Sequence, residues 1–171
     1  FPEAVEELAG SVGLVVPSTR VDSQHLPSNR KDIDTVLSIA TKYYEQQLKE
    51  SEMAINFLKN RGLTGSIAKL FNLGFSPNTP NGLRSVFDDY DKNEHLLEAG
   101  LVIRKDRNQI YDRFRGRIMF PIHNAFGKVV GFGGRAVDDV NPKYLNSPET
   151  SAFNKGQELY GLFQSKDGIR K

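Results

Sequence analysis

Residues 117–134, RIMFPIHNAFGKVVGFGG, decide how the chain folds. Two apolar, β-branched and aromatic runs flank a short loop from Asn124 to Gly127, and that pattern predicts an antiparallel hairpin. On either side of it "LVIRK", "QIYD" and "KYLNS" also read as strands. Toward the N-terminus the period becomes helical. In "IDTVLSIATKYYEQQLKE" the residues Ile33, Val36, Leu37, Ala40, Tyr43, Tyr44 and Leu48 keep to one stripe, which predicts a long amphipathic helix. Ser51 is placed to cap a second helix carrying Ala54, Phe57 and Leu58 and closed by Gly62, and Thr64 to cap a third carrying Ile67, Leu70 and Phe71. Two shorter helices are expected through Leu83, Val86 and Phe87 and through Leu96 and Leu97, ended by Gly100. A helical segment followed by a mainly antiparallel sheet is the α+β class, and the order excludes the strand–helix alternation of a Rossmann unit.

The chain has 171 residues, 38% of them apolar, enough to build a core. It has no apolar run long enough to span a bilayer and no signal-peptide pattern, so a cytoplasmic setting is expected. Zero cysteines exclude a disulfide framework and any cysteine-ligated zinc or iron–sulfur site. His25, His95 and His123 are far apart and read as ordinary surface or loop residues. Charge is unevenly spread. Residues 1–100 carry 10 basic and 14 acidic side chains, a balance of −4, whereas residues 101–171 carry 13 and 7, a balance of +6. A basic C-terminal part points to a polyanionic partner.

"FPEAVEELAG" opens without methionine inside a helix signal, with Phe1, Val5 and Leu8 at helical spacing, and "GLFQSKDGIRK" closes in a polar, turn-rich stretch. Both ends suggest a piece of something longer. "STRVDSQHLPSNRKD" has little to bury and reads as a linker.

Several motifs carry chemistry. "GFGGR", Gly131 to Arg135, lacks the spacing of a dinucleotide fingerprint; it reads as a strand with a bulge or bend at Gly133 and Gly134, where a ligand can approach the backbone beside Arg135. Arg113, Arg115 and Arg117 alternate, which in a strand places all three on one face, for salt bridges or for a polyanion. Asp138 and Asp139 have no third carboxylate nearby and read as solvated turn residues. "PKYLNSPET" sets Lys143, Tyr144 and Asn146 on a short extended piece between Pro142 and Pro148. A cation, an aromatic face and an amide suit a nucleic acid.

The segments "YDRFRGRIMFPIHNAFGKVVGFGGRAV", "PKYLNSPET" and "FNKGQELYGL", with "FLKNRGLTGSIAKLFNLGFSP" upstream, resemble the N-terminal part of the catalytic core of bacterial DnaG-type DNA primases over nearly the whole chain. "FPEAVEEL" resembles the segment that joins the zinc-binding domain of these primases to their core. The resemblance implies a connector at 1–17, a polar linker at 18–32 and the N-terminal subdomain of the core at 33–171. It implies that the longer protein is a nucleotidyltransferase making RNA primers for DNA replication, with Mg2+ (or Mn2+) held in a Toprim half and Zn2+ in a zinc-binding domain. This chain lacks both parts, so no catalytic residue, metal ligand or cofactor is expected within it. Expected instead is the wall of a basic cleft for single-stranded DNA template, RNA primer and nucleoside triphosphates, formed by Arg61, Arg135, Lys143, Tyr144, Asn146 and Lys155, with Arg113 and Arg115 in the same basic region. Replicative helicase and single-strand-binding protein would be met through regions outside the chain, which itself would be monomeric and work at the replication fork in the bacterial nucleoid. Two other readings stay open: an independent single-strand-binding module, and a small nucleotide-binding regulatory domain using "GFGGR".

Overall fold

The stripe from Ile33 to Leu48 is the buried face of the longest helix, α1, Ser28–Glu50. The computed structural model describes residues 28–105 and 109–169. The helix expected at Phe1 to Leu8 and the connector at 1–17 lie outside the described residues. The polar stretch expected to be linker as far as Asp32 is already helical from Ser28. Helix α2, Glu52–Lys59, starts at Ser51, whose side chain accepts from the Ala54 N–H, and α3, Gly65–Leu70, starts at Thr64, which accepts from Ile67. A 3₁₀ turn at Gly82–Ser85 and α4, Glu94–Glu98, complete the helical part.

Strands β2, Val102–Lys105, and β3, Gln109–Asp112, form a separate antiparallel pair. The hairpin read from the sequence is β4, Arg117–His123, with β5, Val129–Ala136. Its loop is held by Asn124, whose side-chain oxygen accepts from the N–H groups of Phe126 and Lys128 at 3.0 Å. With β1, Gly74–Ser76, and β6, Tyr144–Asn146, they form a four-stranded antiparallel sheet in the order β1-β4-β5-β6.

Alternation along β4 puts Met119 on one face and Ile118 on the other. Met119 and Phe132 join the α1 stripe, Leu83, Tyr90, Leu96, Leu101 and Phe114 in the main core. Ile118 and Phe75 form a second cluster with Leu48, Ala54, Leu58 and Leu73 under α2. A third, smaller cluster joins Ile122, Val130 and Phe153.

The sequence reading missed β1. Gly74 there runs against α1 so closely that an added Cβ would sit 2.5 Å from the Tyr44 Cβ and 2.8 Å from its backbone carbon. Neither can yield without moving the helix. Gly74→Ala is therefore expected to cost about 2–3 kcal/mol and to lower the melting temperature by roughly 5–10 °C. A thermal melt unchanged from wild type would show that this approach is not tight.

Three further expectations differ from the structure. The bulge lies at Val130, where the register jumps from Ile122↔Gly131 to His123↔Val129, while Gly133 and Gly134 pair regularly with Phe120 and Met119. The closing segment is not a turn-rich tail: helix α5, Leu162–Ile169, docks on the hairpin, with Phe163 stacked on His123 at 6.1 Å, Gln164 2.9 Å from His123 Nδ1, and Lys166 donating to the Ala125 carbonyl. His123 is accordingly buried rather than a surface residue. Among the described residues, no helix is long and apolar enough to cross a membrane.

Candidate nucleic-acid interface

The sheet face opposite α1 carries the side chains of Phe120 and Ile122 on β4, Arg135 on β5, and Tyr144 and Asn146 on β6. The β5–β6 register sets Arg135 directly opposite Tyr144 and Gly133 opposite Asn146. Beyond β6 the chain turns back and brings Phe153, Lys155, Glu158 and Tyr160 over the same face. Together these residues enclose a hollow of about 440 Å³ with an apolar floor and a polar rim. Gly133 belongs to that floor: a Cβ there would stand 3.2 Å from Asn146 Oδ1 and 3.8 Å from the Phe120 Cβ. Its missing side chain keeps the floor open beside Arg135.

Arg135 is half-buried, and its guanidinium carbon lies 5.5 Å from the ring centroids of both Tyr144 and Phe57. The same Phe57 ring carries Arg61 at 3.9 Å. Phe57 is in the last turn of α2 and Arg61 lies two residues beyond its end; Asn60 between them keeps helical backbone angles, so the four-residue spacing still brings the two side chains together. Arg61, Phe57, Arg135 and Tyr144 thus form an alternating cation and ring array that starts in the hollow, at Tyr144 and Arg135, and runs out of it to Arg61. Arg61, Arg135 and Lys155 have no ion-pair partner among the described residues, so their charges are open to an anion. Glu158 is the one acid on the rim. Desolvation pushes the Tyr160 phenol up to about 12, and at neutral pH it is an uncharged hydrogen-bonding group.

Of the eight residues expected to bind nucleic acid or nucleotide, the structure gathers Arg61, Arg135, Tyr144, Asn146 and Lys155. Lys143 is exposed one residue before β6 and does not line the hollow; its carbonyl accepts from the Ala136 N–H and from Arg117. The arginine triplet does not share a face, because Gly116, at φ 60°, breaks the segment and β4 begins only at Arg117. Arg113 is half-buried and reaches the Asn146 carbonyl at 3.5 Å. Arg115 lies over the Tyr111 ring at 5.1 Å, in a separate hollow with Arg84 and Lys105. Arg117 is buried and ties down the approach to β6 by donating to the carbonyls of Pro142, at 2.8 Å, and Lys143, at 3.3 Å. None of the three forms a salt bridge among the described residues.

Sequence reasoning placed Phe57 in the core of its helix and passed over Phe120, Phe153 and Tyr160. The spacing of Phe57 and Arg61 was the available signal for the first; the others come together only through the sheet register and the returning chain. The described residues do not fit a metal centre, since no three His, Asp or Glu side chains come together, and Asp138 and Asp139 are both exposed.

Comparison with known proteins agrees with this fold. Residues 43–166 match the family model described as DNA primase catalytic core, N-terminal domain. A DNA primase of Pseudomonas aeruginosa is 46% identical over 178 aligned positions that take in 99% of this chain and 27% of the relative. A solved DNA primase domain from the same species superposes with a TM-score of 0.74 at 45% identity, covering 81% of this chain and 44% of the other. A DnaG primase catalytic domain bound to single-stranded DNA gives 0.75 at 36% identity, covering 82% and 46%. The chain spans about a quarter of the length of that curated relative. With the family model matching most of its residues and the sheet, helices and hairpin superposing on solved primase cores, the chain belongs to the DNA primase catalytic core family, as its N-terminal domain.

Proposed function

We propose that this domain is the basic wall of a primase cleft, which holds single-stranded template, primer duplex and incoming nucleotide while the chemistry is done by other parts of the longer protein. The observation that carries the reading is a set of three cations without ion-pair partners among the described residues: Arg135 and Lys155, which line the hollow beside Tyr144 and Asn146, and Arg61, joined to Arg135 through the Phe57 ring. Guanidinium and ammonium groups pair with phosphates without regard to sequence. An exposed tyrosine ring offers a stacking platform to an unstacked base, and an asparagine amide can both donate to and accept from a base edge or ribose. Duplex DNA hides its base faces, so the ring platform favours a single strand.

The activity of the longer protein, DNA-templated synthesis of short RNA primers, belongs to the same proposal. So do Mg2+ or Mn2+ in a Toprim half, Zn2+ in a zinc-binding domain, helicase and single-strand-binding protein as partners, and a place at the replication fork. Lys143 and Arg113 stay in the proposal as outer contacts next to β6, and Arg115 as a contact from its separate hollow.

Fluorescence anisotropy with a labelled single-stranded oligonucleotide tests the reading. The single strand is expected to bind more tightly than its duplex, and Tyr144→Ala to weaken it by about 1–3 kcal/mol, the range for loss of one base–aromatic stack. Competition by a mononucleotide as effective as the oligonucleotide, or equal affinity for the duplex, would overturn the reading.

A further inference from the structure

We infer that Phe57 is a positioning residue for this interface: its ring holds Arg61, from the turn after α2, and Arg135, from β5, in register with each other and with Tyr144. The inference rests on the proposed nucleic-acid reading and adds a residue that would touch no ligand itself. Phe57 is half-buried, packed on the cluster of Leu48, Leu58, Phe75 and Ile118, so its ring is fixed by the core rather than by the arginines. Among the described residues, Arg61, which is exposed, has no carboxylate partner, and Arg135 has a buried Nε with no hydrogen-bond partner. What restrains both guanidinium groups is aromatic: the Phe57 ring at 3.9 Å and 5.5 Å, and for Arg135 also the Tyr144 ring at 5.5 Å. A cation over a ring face is held by the ring quadrupole, which, unlike a carboxylate, leaves the positive charge unneutralised. A cation-binding acid here would cancel the charge that phosphate is to meet; a ring orients it and leaves it available. Holding two long side chains in advance also lowers the entropy lost when a strand binds.

The test uses single-stranded DNA anisotropy on Phe57→Leu, Phe57→Tyr and a chain with pentafluorophenylalanine at position 57, which keeps the shape of the ring but reverses its quadrupole. Phe57→Leu and the fluorinated ring are expected to weaken binding about tenfold, the size expected for two cation–ring contacts. Phe57→Tyr is expected to bind as wild type. The dependence of affinity on salt should stay unchanged, because every cation is still present. In an Arg61→Ala/Arg135→Ala background, altering Phe57 should have no further effect. The inference is overturned if the fluorinated chain binds as wild type, or if the loss persists undiminished in the double-alanine background. Should Arg61→Ala/Arg135→Ala itself leave binding intact, it is the nucleic-acid reading that fails.

Discussion

Asp112→Ala is expected to cost about 3–5 kcal/mol, because the Tyr90 hydroxyl and the Leu83 N–H would be left buried without partners at about 1–3 kcal/mol each, beside a new cavity. Asp112 is 2% exposed at the end of β3. It accepts from the Tyr90 hydroxyl at 2.6 Å and from the Leu83 N–H at 3.0 Å, tying the 3₁₀ turn and the loop before α4 to the two-stranded sheet. Against a total of roughly 5–15 kcal/mol for a domain, the loss should appear in a thermal melt as a fall of roughly 10 °C or more. Asp112→Asn keeps the shape and one acceptor and should retain more than half of what alanine loses. Burial raises the Asp112 carboxyl above its ordinary value, opposed by its hydrogen bonds from Tyr90, Leu83 and Gly82 and by the charge of Arg115. The folded state therefore keeps this proton to higher pH than the unfolded chain does. Its contribution to stability is fully present below the ordinary carboxylate pKa and is lost as pH rises through the folded pKa. Wild type should accordingly lose ground to Asp112→Asn as pH rises across the acid range and hold a constant difference above it. A pH-independent difference, or an alanine variant that melts like wild type, would remove Asp112 from its bracing role.

The largest expected loss of binding follows Arg61→Ala/Arg135→Ala/Lys155→Ala. Each phosphate contact on a single strand adds about 0.7 to the slope of log affinity against log salt. Three lost contacts should therefore weaken single-strand binding on the order of 100-fold at about 0.05 M salt. Stability should change by no more than about 1 kcal/mol per site, because none of these charges is engaged in an ion pair among the described residues and only ring contacts and some packing are lost. Binding within a factor of a few of wild type, in a variant with an unaltered melt, would show that the contacts lie elsewhere.

How far the sequence discloses this arrangement depends on whether its determinants are local. The caps at Ser51 and Thr64 and the hairpin loop at Asn124 depend on neighbours within a few residues, and each is where the sequence puts it. Strand β1 has only three residues, all buried, too few to show an alternation, and exists because Gly74 can lie against Tyr44. The helix α5 depends on contacts with the hairpin about forty residues earlier, of which "GLFQSKDGIRK" gives no sign. The same distinction holds at the interface. Arg135, Tyr144 and Asn146 are grouped in advance only by the family resemblance; the β5–β6 register that brings them together is a non-local pairing that neither segment states. Arg113, Arg115 and Arg117 look equivalent by spacing, yet the positive φ of Gly116 sends them to three different environments.

The most direct test is the slope of log affinity against log salt for single-stranded DNA, measured by anisotropy on wild type and on Arg61→Ala/Arg135→Ala/Lys155→Ala. If these three cations meet phosphate, the variant's slope should be shallower by about 2, three contacts at roughly 0.7 each. Two parallel lines, with affinity lowered or not, would contradict the assignment of this surface to the nucleic-acid backbone.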